Sequence, residues 1–253
     1  MARTVVTSRE SVVNYPFSLS FDDTINQSIS CPYNSNYTTD IQDSFTILVL
    51  AKLNSRSNIS NDFHALISND LGVAFNNYYL LVNSDPQTLA CFIANQGTVQ
   101  SLTSTARFTN DQWNWFGMAY KTGVAQDVIL NKTIKTQTPN LTVSMANNPL
   151  IVGAAANLAR RINGNVARVW IMGGRITQSE LNSVVDNGIK PPSLSQALMW
   201  DMLEGSGTSL NDSGPNSNTG TLNNGIVWDS SNIPSKTRID TFSRTFADTR
   251  LFA

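Results

Sequence analysis

Histidine is nearly missing from this chain: His64 is the only one in 253 residues. A Ser-His-Asp site would depend on it, and no nucleophile-elbow motif accompanies it. A structural histidine at a strand start is therefore expected. Cysteine is almost as scarce, limited to Cys31 and Cys91. One histidine and two separated cysteines lack the ligand spacing of a zinc site. Each cysteine lies in a strand-like segment, S-I-S-C and T-L-A-C-F-I, which predicts buried free thiols. A disulfide would require an oxidising compartment. Neither a Gly-Lys-Ser/Thr phosphate loop nor a dinucleotide fingerprint occurs, so no cofactor is expected.

Charge is thin as well. Charged residues make up 14% of the chain and the net charge is −1, against a usual charged share of ~25%. That balance offers no broad basic face, which excludes nucleic acid as an expected partner. No stretch approaches the ~18 consecutive apolar residues of a membrane span. The opening residues M-A-R-T-V-V-T-S-R-E hold no apolar run of the signal-peptide kind. Asn-x-Ser/Thr triplets at Asn26, Asn36, Asn58, Asn131, Asn140 and Asn211 arise readily in a chain so rich in asparagine and threonine. Hydrophobic residues still reach 41%, enough with the scattered aromatics to form a packed core, not a disordered chain.

The most informative stretch is residues 163–188. Val166, Arg168, Trp170 and Met172 alternate with Asn165, Ala167, Val169 and Ile171, the period-2 pattern of a strand. Gly173 and Gly174 stop it. Thr177 with Glu180 three residues on then predicts a capping box, Leu181, Val184 and Val185 follow at helical spacing, and Gly188 marks the helix end. Strands are predicted at residues 18–21, 44–53, 64–68, 73–82, 88–94, 99–104, 112–120, 125–134, 149–153, 197–203 and 226–228. The segment 44–53 reads as central and covered on both faces. Asn76-Asn77 reads as a bulge or kink, and Asn95-Gln96-Gly97 as a hairpin turn. Short strands, turn residues between them and one brief helix predict an all-β sandwich.

These pieces resemble the laminin-G-like members of the concanavalin A-like lectin/glucanase superfamily. The matching segments are Ser18-Leu-Ser-Phe-Asp22, Ser44-Phe-Thr-Ile47, Asp111-Gln-Trp113 with Met118-Ala-Tyr120, and Val128-Ile-Leu-Asn131. Leu150-Ile-Val-Gly153, Asn163 to Trp170 and Thr177-Gln-Ser-Glu-Leu181 continue the series. The resemblance implies a two-sheet antiparallel jelly roll with one short helix and extended terminal arms. Trp200-Asp-Met-Leu-Glu-Gly-Ser-Gly-Thr208, with Asp212-Ser-Gly214 and Thr219-Gly-Thr-Leu222, is similar to the segment that often opens such a domain, yet here it comes last. A circular permutation, or a strand completing a neighbouring subunit, would account for this order; the permuted reading is preferred. The implied layout is an N-terminal arm over 1–17, the sandwich over 18–190, strands completing it over 191–234, and a docking arm over 235–253.

Glucanases of this superfamily need two carboxyls at a retaining separation of about 5–5.5 Å. The chain has only Glu10, Glu180 and Glu204, far apart in sequence, with Glu180 assigned to the helix cap. No enzymatic activity is expected. Asp22-Asp23 and Asn211-Asp212 offer oxygen ligands for calcium from two loops, and turn-capping carboxylates are the preferred reading. Tyr33, Tyr37, Tyr78 and Tyr79, in or near loops, are candidates for stacking on sugars, although core packing is the usual role of such aromatics. The last nineteen residues carry Arg238, Phe242, Arg244, Phe246, Arg250 and Phe252 at wide, even spacing, as anchors for a partner would be.

Together these features predict a non-enzymatic structural or binding protein of a bacteriophage virion, a capsid decoration or tail/fibre component. Made in the host cytoplasm, it would dock on other virion proteins through its arms, as a homo-oligomer with a trimer favoured. The alternative is a carbohydrate-binding lectin, calcium-dependent or not, used in adsorption to glycans of a host surface.

Overall fold

The computed structural model describes residues 16–54, 63–69, 77–83, 87–155 and 160–234. Its strands are β1 Ser18–Phe21, β2 Ser28–Cys31, β3 Ser44–Leu53, β4 Phe63–Ser68, β5 Asn77–Asn83, β6 Thr88–Asn95, β7 Thr98–Thr103 and β8 Trp113–Lys121. They continue as β9 Ala125–Leu130, β10 Thr133–Gln137, β11 Leu150–Val152, β12 Gly164–Gly173, β13 Ser195–Trp200, β14 Ser209–Leu210, β15 Gly220–Asn223 and β16 Val227–Asp229, with the helix α1 at Gln178–Asn187 between β12 and β13. The first sheet runs β10-β9-β8-β3-β12-β1-β16, with β13 also paired to β12. The second runs β14-β15-β2-β11-β4-β5-β6-β7. All pairings are antiparallel. This is the all-β sandwich that the strand pattern predicts, in the two-sheet jelly-roll form that the resemblance implies.

Cross-strand register explains why the sheets stack. Leu222, Ile29, Val152, Ile67, Leu80, Cys91 and Leu102 lie directly opposite one another across successive strands of the second sheet. Leu130, Phe116, Val49, Val169 and Trp200 form the equivalent lane on the first sheet. All belong to one buried core, and each such side chain contributes about 1.5–3 kcal/mol by leaving water. The strict period of two puts the apolar set on one face and makes the register costly to shift.

The first sheet is buried on its other face too. Leu48, Leu50, Trp115, Trp170, Met172, Leu181, Val184 and Met199 form a second apolar cluster beneath α1. The expectation for residues 44–53 holds: β3 sends Ile47, Val49 and Ala51 into one core and Leu48 and Leu50 into the other. The helix begins as predicted, with the Glu180 amide donating to the Thr177 hydroxyl and the Thr177 amide donating to Glu180 Oε2. It ends at Gly188, whose φ of 63° lies in the left-handed region that glycine tolerates.

Three expectations need correction. The alternation along β12 is broken by a bulge between Val166 and Arg168. Val166 therefore joins Val169 and Ile171 between the sheets, while Ala167, Trp170 and Met172 face the helix side; one extra residue in the strand reverses the phase. The strand expected over 125–134 is two, because Asn131 turns the chain at φ 52° and its Oδ1 accepts the Trp115 amide at 2.9 Å. The kink expected at Asn76-Asn77 is present at Asn77, which opens β5 at φ 89°, while Asn76 lies outside the described residues; a further irregularity lies on β4, between Ala65 and Ile67. The strand expected to reach Leu203 stops at Trp200, for a reason that shapes the site below.

Strand β16 pairs with β1, placing Ser18 opposite Asp229. The Ser18 hydroxyl donates to the Asn232 carbonyl at 2.6 Å. The chain thus enters and leaves the sandwich at one corner. No helix among the described residues is long and apolar enough to cross a membrane.

Candidate functional site

After Trp200 the chain leaves the first sheet. Met202 adopts φ 49°, Gly205 φ 70° and Gly207 φ 84°, a run of left-handed residues incompatible with strand pairing. The excursion is held from two sides. Trp228 Nε1 donates to the Gly207 carbonyl at 2.9 Å, and Gly205 lies against the Phe17 ring. Phe17 and Trp228 meet edge to face, their centroids 6.2 Å apart.

The return loop is organised by Asp212. Its Oδ1 accepts the amides of Met199 and Gly214, each at 2.8 Å, and its Oδ2 accepts that of Asn218 at 3.0 Å. Trp200 Nε1 donates to the Asn218 carbonyl at 2.8 Å. The loop is thereby pinned to β13, and Asn211 and Ser213 are set opposite Leu203 and Glu204.

Between these segments lies a cleft of about 290 Å³, lined by Asp201, Leu203, Glu204, Asn211 and Ser213. Its floor is a tight polar network. Asp201 Oδ1 accepts Trp170 Nε1 at 2.8 Å and lies 3.3 Å from Arg168 Nε. Asp201 Oδ2 accepts the Ser213 hydroxyl at 2.6 Å and sits 3.2 Å from Lys190 Nζ. Burial alone would raise the Asp201 carboxyl. The Ser213 hydrogen bond and the charges of Arg168 and Lys190 outweigh it and hold the group below its ordinary value.

The wall differs from the floor. Glu204 Oε1 accepts the Asn211 amide at 2.7 Å, while Oε2 is screened from solvent and has no hydrogen-bond partner among the described residues. An acceptor left in that state costs about 1–3 kcal/mol. Leu203 beside it is 54% exposed. The cleft thus combines an acceptor without a hydrogen-bond partner, an uncovered apolar side chain and a base held by the bonds of Asp201. Such a surface sets an acceptor beside an apolar contact; nucleophile, base and oxyanion donors for acyl transfer are not assembled there.

The residues singled out in the sequence fare differently. Arg238, Phe242, Arg244, Phe246, Arg250 and Phe252 lie outside the described residues. Asp22 Oδ1 accepts both the amide and the hydroxyl of Thr24, and those bonds hold its carboxyl below the ordinary value. Asp212 likewise caps its own loop, while Asp23 Oδ1 accepts Asn163 Nδ2 at 3.3 Å across the fold. No group of three or more His, Cys, Asp and Glu that could hold a metal occurs among the described residues. Tyr37 and Tyr78 are fully buried core residues. Tyr33 is exposed, and Tyr79 is half-buried opposite Phe92. His64 is buried, with Nδ1 2.9 Å from the Arg161 carbonyl. Both cysteines are free and buried; four inter-strand steps separate β2 from β6, roughly 19 Å at the usual spacing, too far for a disulfide. Leu203 and Glu204 were missed. The one signal was that Glu204 is a glutamate with no cap or strand role in an otherwise glutamate-poor chain.

The fold defines a class: an antiparallel two-sheet jelly-roll sandwich. No protein-family model matches the sequence, and no curated protein matches it either. Among solved structures, the chain is similar to a Bacteroides ovatus protein assigned to carbohydrate binding. The TM-score is 0.64 at 14% identity, over 87% of this chain and 61% of that one. It is also similar to the heptameric SAP-like pentraxin of Limulus polyphemus, with a TM-score of 0.57 at 14% identity over 85% of this chain and 96% of the pentraxin. A third likeness is to a botulinum neurotoxin type C chain, whose cell entry depends on interaction with two ganglioside molecules. There the TM-score is 0.50 at 12% identity, over 64% of this chain and 40% of that one. At these identities the likeness carries the fold.

Proposed function

We propose that this chain is a non-enzymatic, lectin-like binding module that takes a carbohydrate in the cleft of Asp201, Leu203, Glu204, Asn211 and Ser213. The observation that carries the reading is the pairing of exposed Leu203 with the unpartnered Glu204 Oε2 on a hydrogen-bonded base. Sugars present an apolar C–H face beside hydroxyl donors, and that pairing meets both. Support of a coarser kind comes from the fold neighbours, one assigned to carbohydrate binding and another dependent on gangliosides.

In the finer reading the module belongs to a bacteriophage virion, as a capsid decoration or a tail/fibre component. It is held there by residues 235–253 through Arg238, Phe242, Arg244, Phe246, Arg250 and Phe252, in a homo-oligomer with a trimer as the favoured count. The spacing of Phe and Arg supports this, as does the corner where residues 18 and 232 meet.

The test is a glycan array probed with the full chain and with Leu203→Asp, each with and without a chelator. Binding by the full chain that the substitution abolishes is the expected result. An array with no bound glycan, or hydrolysis of any polysaccharide by the pure protein, would overturn the reading. Loss of particle association and of oligomeric mass on removing residues 235–253 tests the attachment separately.

A further inference from the structure

We infer that Asn224 is a site of spontaneous deamidation. The chain has three Asn-Gly pairs, Asn163-Gly164, Asn187-Gly188 and Asn224-Gly225, and the fold leaves only the last of them open to the reaction. In such a pair the glycine amide nitrogen gives its proton to hydroxide and attacks the asparagine Cγ. The Cγ–Nδ2 bond breaks, the departing nitrogen takes a proton from water and leaves as ammonia, and a cyclic succinimide remains. Water then opens the ring at either carbonyl to give aspartate or isoaspartate. Glycine favours the attack because it has no Cβ to hinder the swing of its peptide toward the side chain, and this chemistry is one reason asparagine is thermolabile.

Two of the pairs are built into the sandwich. Gly164 is buried in β12 between β1 and β3, opposite Phe21 and Leu53. The Asn163 side chain is held at both ends, Oδ1 by Asn54 Nδ2 at 2.7 Å and Nδ2 by Asp23 Oδ1 at 3.3 Å. Gly188 is buried at the end of α1. Its amide nitrogen, the group that would attack, donates to the Val184 carbonyl at 2.8 Å, and its carbonyl accepts Arg168 Nη1 at 3.1 Å. Reaction at either pair requires a core strand or the helix end to open. Asn224 and Gly225 instead lie in the turn by which the chain passes from β15 in the second sheet to β16 in the first, and both are exposed. Their φ angles are 59° and 74°, and nothing lies within 4 Å of where a Cβ would stand on Gly225. The peptide between them can rotate toward the Asn224 side chain through a local opening alone.

That side chain has a structural use. Asn224 Nδ2 donates to the Asn26 carbonyl, and beside it the Gly225 carbonyl accepts Gln27 Nε2 at 2.9 Å. The turn thereby ties the loop between β1 and β2 to the crossing from β15 to β16. Deamidation replaces the donor with a carboxylate oxygen, which has no hydrogen to give the Asn26 carbonyl. The reaction releases one of these ties and adds a negative charge to the surface.

The experiment holds the full chain in mildly alkaline buffer, native and in guanidinium, and follows the peptides carrying Asn163, Asn187 and Asn224 by mass spectrometry, with enzymatic methylation of isoaspartate as a second reading. In native protein Asn224 should convert roughly tenfold or more faster than the other two, which wait for the fold to open. In guanidinium the three rates should converge. Equal native rates at the three positions, or a native Asn224 that stays intact while the denatured chain converts, overturns the inference. Asn224→Asp reads the lost tie: hydrogen exchange at the Ile25 and Gln27 amides should quicken. Unchanged exchange there overturns the role assigned to the Asn224 side chain.

Discussion

Arg168 Nε and Asp201 Oδ1 lie 3.3 Å apart with both side chains almost fully buried, and this contact joins the helix to the cleft. The same arginine holds the Gly188 carbonyl at the end of α1, while the same aspartate holds Ser213 on the return loop. The β12 bulge is what delivers Arg168 to that side of the sheet. A break in strand periodicity thus becomes the means by which a core strand supports a surface site.

Asp201→Asn should destabilise the fold by about 3–5 kcal/mol, because it strands a buried Arg168 and weakens the hold on Lys190. The pH dependence follows from the sign of the shift. The folded Asp201 carboxyl titrates below its unfolded value. Its stabilisation is therefore fully present above the unfolded pKa of about 3.9 and is lost as pH falls through the lower, folded value. Urea unfolding of both proteins between pH 7 and roughly pH 2.5 should show the gap closing only in the acid range. A gap of constant size would remove Asp201 as its source.

Thr177→Ala removes half of the capping box and should cost about 1 kcal/mol, within the 0.5–2 range for such caps. Thermal unfolding measures it, and Thr177→Ser should restore most of the loss, since a serine hydroxyl can accept the Glu180 amide.

That cap was readable in the sequence, and so were Gly188 and the hairpin at Gln96-Gly97, where φ is 46° and 84°. Each is a local device whose chemistry lies within a few residues. The lanes of the two cores were readable in outline, because burial on one face imposes a period of two. The bulge at Ala167 was not. It depends on which of two phases packs better against β3 and α1, and the residues alone permit either. The cleft was hidden for a related reason. Ala197 to Leu203 alternates well enough to continue as a strand, and methionine at position 202 gives no warning of φ 49°. Only the loop around Asp212, the Phe17 ring and the Trp228 bond together hold the chain out of the sheet.

Neither cysteine should react in the native state. Burial pushes the Cys31 thiol up to about 11 and the Cys91 thiol up to about 12, so the thiolate that attacks a reagent is scarce near neutral pH. A colorimetric thiol assay at pH 8 should find no fast-reacting group in native protein and two after denaturation in guanidinium. A native thiol that reacts within seconds would mean that the β2 or β6 segment opens far more readily than a core strand should.

Phe17→Ala tests whether the cleft depends on the corner where the chain enters and leaves. The Phe17 ring backs Gly205 and meets Trp228 edge to face, and Trp228 in turn holds Gly207. Removing the ring leaves Leu203 and Glu204 on a loop with one support in place of two. Of these residues only Met202, at the start of the loop, belongs to the sandwich core, and Phe17 does not, so the global transition should move little. Ligand binding should instead weaken by about 1–2 kcal/mol, the ordering free energy of one or two residues. Calorimetric titration with a glycan that the full chain binds reads the binding, and backbone hydrogen exchange at residues 202–208 reads the loop. Faster exchange there with weaker binding is the expected pair. Faster exchange with unchanged affinity would show that the ligand itself orders the loop and that the corner contributes nothing to the site.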